Sequence, residues 1–319
     1  MNKISNIYKE LTEEEIKKII LENFNDKLLN YNLLKGGLFN TTYFLQFENN
    51  KKYVLRVGPI NRHLLMPFEH NLMNGEKYFY ELCKKENIPV SNVVVCDTSK
   101  KIIDRDYMIV EYIESIVMSE ATLTKKQKNF LYEKVGQYAY KIQNIKGNKF
   151  GRLADLVNRN GFDTWVEYLK NDIEKITNLH IQHNILTIEQ VNNIKSLIIK
   201  YENILNEVKI PRLTHCDLWE GNILLDKNNL DNIVAIIDGD RAIFADAEYE
   251  FGSPYMVNEY FIKGYGKNLD MSDNGIIKRN IYWIAYNLLD CYVWFIQYNN
   301  IKNGQDTKEK ILNLVKTLL

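Results

Sequence analysis

Between residues 213 and 250 the chain reads LTHCDLWEGNILLDKNNLDNIVAIIDGDRAIFADAEYEF. His215, Asp217 and Asn222 follow the spacing His-x-Asp-x-x-x-x-Asn, and Asp238 closes an apolar run sixteen residues after Asn222. These residue types in this order suit kinase-type phosphoryl transfer. One carboxylate accepts a hydrogen bond from the attacking hydroxyl, while an amide oxygen and a second carboxylate hold Mg²⁺ across nucleotide phosphates. Hard cations prefer oxygen ligands, so Asn and Asp are the right chemistry.

Such a set needs elements that bring it together. NILLD at 222–226 and NIVAIID at 232–238 read as two strands with KNNLDN as their turn, a hairpin that returns Asp238 beside Asn222. Upstream, residues 11–24 form an amphipathic helix opened by a Thr12–Glu15 capping box. LLKGG at 33–37, TTYFLQF at 41–47 and KYVLRV at 52–57 read as three antiparallel strands, with ENNKK as a hairpin turn. Residues 67–86 are helical, although Gly75 weakens the first half, and 91–97 and 106–112 add two strands. From about 120 to 206, and again after about 252, the pattern is helical. Residues 280–298 are apolar nearly all round and read as a buried helix. The expectation is an α+β arrangement, a small antiparallel sheet lobe with one main helix followed by a mostly helical lobe.

The chain has 319 residues, with 41 Lys plus Arg against 41 Asp plus Glu. That balance argues against a protein that coats nucleic acid through its overall charge. Its four cysteines, Cys83, Cys96, Cys216 and Cys291, contain no Cys-x-x-Cys pair, so no zinc or dithiol site is expected. The sequence shows no signal-peptide core and no run long enough to cross a bilayer, so a cytoplasmic protein without membrane or nucleic-acid partners is expected.

THCDLWEGNILLD resembles the H-G-D-x-x-x-x-N loop of the aminoglycoside phosphotransferase family, the small-molecule kinases related to choline and fructosamine kinases. KGGLFNTTYFLQF, YVLRV, DYMIVEYI and IIDGDRAIFADAEYEF resemble that family's nucleotide loop, basic strand, inter-lobe hinge and metal segment, so the likeness runs from about residue 33 to 252. It implies a two-lobed protein-kinase-like fold, with a nucleotide-binding lobe at 1–112 and a catalytic, substrate-binding lobe at 113–319. It also implies ATP and Mg²⁺ as cofactors, a small-molecule acceptor, and a monomer by default.

The resemblance makes Asp217 the residue facing the acceptor hydroxyl, makes Asn222 and Asp238 the metal ligands, and gives His215 a structural place. Gly36 and Gly37, with Thr41 or Thr42, would cover the phosphates, and backbone groups of Glu111 and Ile113 would bind adenine. Arg56 stands where the family usually has Lys, with Glu76 as its helix partner and Glu69 as the competitor. Glu250 would brace the catalytic loop, and Asp240 would either touch a metal or cap a turn. A protein kinase is disfavoured, because Asp238-Gly239-Asp240 replaces Asp-Phe-Gly. A non-catalytic nucleotide-binding protein is favoured only by Arg56.

Residues 215–250 hold nine acidic residues and two basic ones. The surplus suits a cationic acceptor, an aminoglycoside-like antibiotic or amino sugar, or a fructosamine- or choline-type metabolite. It equally suits a solvated acidic rim. Trp165, Trp219 and the aromatic helix at 280–298 would form either an acceptor wall or core.

Overall fold

The computed structural model describes residues 5–34, 37–158, 160–252 and 255–319. The Thr12–Glu15 capping box forms as expected. Glu15 N–H donates to Thr12 Oγ1 at 3.2 Å, and Thr12 N–H donates back to Glu15 at 2.8 Å. It starts α1 (Glu13–Asn23), which turns Ile16, Ile19 and Ile20 into the core.

The sheet comprises β1 (Leu28–Leu34), β2 (Thr41–Phe47), β3 (Lys52–Val57), and, after α2 (Leu72–Lys85), β4 (Val93–Asp97) and β5 (Tyr107–Glu111). All neighbours are antiparallel, in the order β1-β2-β3-β5-β4. The first strand therefore lies earlier than the expected 33–37. Residues 28–34 make the ladder with β2, and Gly37 is not part of it.

The helix expected at 67–86 begins as a 3₁₀ turn, Pro67–Asn71, in which the Glu69 side chain accepts the Met66 N–H. Gly75 has a packing reason. A Cβ there would sit 2.7 Å from the Ala154 backbone nitrogen, so the missing side chain lets α2 lie against the other lobe.

Beyond the sheet come β6 (Ser115–Val117), α3 (Lys125–Asn144), β7 (Gly151–Arg152), α4 (Leu153–Leu156), α5 (Trp165–Gln182), α6 (Ile188–Lys200) and α7 (Glu202–Leu205). They are followed by β8 (Arg212–Thr214), β9 (Ile223–Asp226), β10 (Ile233–Ile236), β11 (Ile243–Ala245), α8 (Glu259–Tyr265), α9 (Asp273–Tyr292) and α10 (Ile301–Leu318). β6 joins the β9–β10 hairpin, and β11 sits between β7 and β8. These short strands, apart from β9 and β10, carry little pattern of their own.

The fold is the two-lobed α+β arrangement expected. The larger core packs α5, α6, α9 and α10 around Trp165, Tyr282 and Tyr292, all 0% exposed. Trp165 stacks on Tyr168 and donates its Nε1–H to Tyr282 at 3.1 Å, so Trp165 and the inner face of α9 are core rather than acceptor wall. Burying such a ring contributes about 2–3 kcal/mol, which is why this helix reads as apolar nearly all round.

Residues 5–9 run across both lobes. Asn6 N–H donates to Gln297 O at 2.7 Å, Ile60 N–H donates to Ile7 O at 2.9 Å, and Ser5 Oγ donates to Leu38 O at 2.9 Å. Among the described residues no helix is long and apolar enough to cross a membrane.

Candidate active site

The loop between β8 and β9 is held by a buried carboxylate. Glu250 accepts the His215 N–H at 2.7 Å and the Cys216 N–H at 3.1 Å, the brace expected of it. Cys216 takes a left-handed conformation, φ 65°, where the resembling loops carry Gly. His215 is 0% exposed, and burial pushes its imidazole down to about 4. The neutral ring donates Nε2–H to Ile237 O at 3.0 Å and accepts the Asp217 N–H on Nδ1 at 3.2 Å. His215 thus ties the loop to the end of β10 and sets the backbone of Asp217.

Asn222 donates through Nδ2 to Asp217 O at 2.9 Å and to Asp217 Oδ2 at 3.0 Å. Its own Oδ1 and Asp217 Oδ1 accept no hydrogen bond among the described residues. Burial, reinforced by Asp238 and Asp290, pushes the Asp217 carboxyl up to about 6 against the pull of Arg241 and Asn222. Arg241 lies beside it, held by Asp290 at 2.8 Å and Tyr286 at 2.9 Å.

The β9–β10 hairpin returns the chain as expected, and Ile237 N–H donates to Asn222 O at 3.0 Å. Asp238 follows in a left-handed conformation, φ 64° and ψ 46°. Its Oδ1 accepts Arg56 Nη2 at 2.6 Å, while Arg56 Nη1 pairs with Glu76. Tyr80 donates to Glu76 at 2.5 Å and accepts the Asp238 N–H at 3.2 Å. Asp240, two residues on, has no hydrogen-bonded or ion-paired side-chain partner among the described residues, and burial and Asp238 push its carboxyl up.

Glu69 lies elsewhere, accepting Met66 N–H at 2.7 Å and Gln297 Nε2–H at 2.6 Å, so Glu76 is the residue beside Arg56. Burial pushes Glu69 up to about 7 from its ordinary 4.5. The fold therefore keeps a proton that the unfolded chain releases, and this stability is lost as pH rises through the folded value. A Glu69→Gln variant, which keeps an acceptor oxygen without the charge, is expected to gain thermal stability over wild type between about pH 5 and about pH 8. A melting-temperature difference independent of pH would show that Glu69 ionises in the fold as it does unfolded.

Near the nucleotide loop, a Cβ on Gly37 would stand 2.6 Å from Asn40 O, so the turn requires glycine; Gly36 lies outside the described residues. Thr41 is 0% exposed, and its hydroxyl donates to Lys9 O at 2.7 Å and accepts from Arg105 at 3.1 Å. That hydroxyl is committed to the fold, which corrects the expectation of a phosphate contact from Thr41 and leaves Thr42 as the candidate. At the hinge, Glu111 N–H is taken by Asn92 O at 2.9 Å, so its carbonyl is the remaining candidate group. Ile113 N–H has no backbone partner among the described residues, and Ile113 O accepts Ser115 Oγ at 2.9 Å.

The acidic surplus is mostly internal. Glu220 pairs with Lys128 at 2.8 Å, Asp246 with Lys278 at 3.2 Å, and Glu248 with Arg279 at 2.7 Å. Glu250 braces the loop. Asp226 accepts the Asn228 N–H at the hairpin turn, and Asp231 bonds Gln127 at 3.1 Å. Asp217, Asp238 and Asp240 are the members of the nine left at the cleft. Tyr80, Arg241 and Asp290 were not singled out from sequence. Tyr80 sits one helical turn after Glu76, a spacing that could have found it. Asp290 had no local signal.

The residues fit a hard divalent cation. Among the described residues Asn222 Oδ1 and Asp238 Oδ2 have no hydrogen-bond partner, and Asp240 is a carboxyl without one nearby. Two protein oxygens completed by phosphates and water is a common Mg²⁺ arrangement. No cluster of three or more His, Cys, Asp or Glu gathers for a metal among the described residues.

A model of a family described as "Phosphotransferase enzyme family" matches residues 30–266. A protein named a probable ketoamine kinase in Enterococcus faecium is 26% identical over 198 residues, which is 60% of this chain and 64%, under two thirds, of that relative. A thermostable mutant of aminoglycoside phosphotransferase APH(4)-Ia is similar with a TM-score of 0.67 and 15% identity, covering 94% of this chain and 98% of that one. A second structure of that enzyme, a ternary complex with ADP and hygromycin B, gives 0.68 at 14% identity, covering 95% of this chain and 98% of its own. A protein assigned as a fructosamine-3-kinase from Thermobifida fusca gives 0.66 at 12% identity, covering 97% and 99%.

Proposed function

The chain belongs to the phosphotransferase enzyme family, and from that premise we propose that it is a small-molecule phosphotransferase that transfers the γ-phosphoryl group of Mg·ATP to a hydroxyl of a ketoamine-type acceptor. The observation that carries the reaction is the meeting of Asp217, Asn222 and Asp238 on one hairpin-and-loop unit. Asp217 Oδ1 accepts the hydrogen bond of the attacking hydroxyl, and Asn222 fixes the other oxygen. His215 stays neutral and structural, because both of its nitrogens are engaged. Arg241 keeps a positive charge beside Asp217. Asn222 and Asp238 would hold Mg²⁺. Gly37 and Thr42 would face the phosphates, and the Glu111 carbonyl and Ile113 amide would face adenine. Mg·ATP supplies the phosphoryl group and the cation that neutralises charge on it.

The acceptor class rests on the charge accounting. A polycationic aminoglycoside calls for a rim of free carboxylates, whereas Glu220, Asp246 and Glu248 are already paired with Lys128, Lys278 and Arg279. Glu76 and Asp290 already balance Arg56 and Arg241, so Asp217, Asp238 and Asp240 are the carboxylates the cleft keeps. After the metal is bound, that suits a hydroxylated acceptor with a single amine. The relative named as a ketoamine kinase is consistent with this reading.

ADP release should be followed with Mg·ATP and a panel of fructosyl-amines, amino sugars, choline and aminoglycosides. Stimulation by the fructosyl-amines well above water hydrolysis is the expected result. Stimulation by aminoglycosides alone would move the acceptor to the polycationic class. Failure to bind Mg·ATP would overturn the phosphotransfer reading itself.

A further inference from the structure

We propose that Arg56 is a positioning residue for the metal carboxylate, acting through Asp238, rather than principally a phosphate clamp. This rests on the phosphotransfer reading above. A lysine is a point charge, whereas a guanidinium is a planar fork that can satisfy two carboxylates at once. Here the fork is used that way. Nη1 is committed to Glu76, which is 1% exposed, and Nη2 to Asp238 Oδ1 at 2.6 Å. Oδ2 is the oxygen left for ligation.

Asp238 needs such a hold. Its left-handed backbone is uncommon for a residue with a side chain. One face of α2 is built against it. Glu76 anchors the guanidinium, Tyr80 accepts the Asp238 N–H, and Phe79 fills the space a Cβ on Gly239 would need, only 2.2 Å away. Residues 76, 79 and 80 form one helical stripe. The fork therefore links α2, β3 and the metal strand, and it fixes which Asp238 oxygen faces the cation.

The test compares Arg56→Lys with wild type in two titrations: ADP without metal, and Mg²⁺ at fixed ADP, each followed by calorimetry. The loss of one charged hydrogen bond should raise the half-saturating Mg²⁺ by about tenfold, while metal-free ADP affinity changes by less than about threefold, since a cation remains. An equal loss in both titrations would make Arg56 a phosphate clamp and overturn the proposal, as would no change in either. Glu76→Gln gives an independent reading if Arg56→Lys fails to fold. Freeing the fork from its helix anchor should weaken Mg²⁺ binding in the same way without touching metal-free ADP, and an unchanged Mg²⁺ titration would overturn the proposal. Wild type that binds neither ADP nor Mg·ADP would instead count against the phosphotransfer reading.

Discussion

Asp217→Asn is expected to lower kcat by about 10²–10⁴-fold while ADP affinity stays within about threefold. The argument is one of hydrogen-bond polarity. Asp217 Oδ2 is occupied by the Asn222 amide at 3.0 Å, so an Asn at 217 keeps that bond through its own oxygen. Its amino group then points where Oδ1 stood and donates toward a hydroxyl that must itself donate. The fold loses little, because the His215, Glu250 and Ile237 contacts do not involve this side chain. Steady-state kinetics with calorimetry of ADP decides the matter. A variant within about tenfold of wild type would remove Asp217 from the hydroxyl, and one that lost ADP binding as well would make its role structural.

The second large effect is expected at Glu250, where Glu250→Ala should cost about 3–5 kcal/mol in urea unfolding. It leaves the His215 and Cys216 amides buried without an acceptor, at about 1–3 kcal/mol each, and opens a cavity. Activity should fall with it, because those amides set the loop that carries Asp217. Glu250→Gln should fall between, since a carboxamide offers one acceptor and turns a donor toward the second amide. An alanine variant as stable as wild type would mean that water replaces the carboxylate.

Much of the site was legible because its residues lie close in sequence. His215, Asp217 and Asn222 share one loop, and a six-residue turn is short enough to predict that Asp238 returns to them. Asn222 and Glu76 are read from a motif and a helix face; in the fold Asn222 bonds Asp217 and Glu76 pairs with Arg56. What sequence hid was long-range or dependent on burial. Thr41 looked like a loop hydroxyl until Lys9 and Arg105, 32 and 64 residues away, were found to occupy it. Asp290 reaches Arg241 across 49 residues from an apolar helix whose periodicity reports only its core face. The acidic surplus stays open between a cationic acceptor and a solvated rim for the same reason, because a composition count cannot see Lys128, Lys278 and Arg279 arriving from other helices. In the fold, β1 was placed late because glycines were read as part of a strand, and β7, β8 and β11 are too short to carry a period.

The segment at residues 5–9 has a mechanical consequence. Its bonds reach the nucleotide loop at Leu38, the sheet lobe at Ile60 and the helical lobe at Gln297. Any gaping of the cleft that carries Leu38 away from Gln297 must stretch this tether or break its links. The two lobes then behave less like a free hinge than like a sprung one. In such a device, opening the cleft costs the hydrogen bonds that residues 5–9 make to either side.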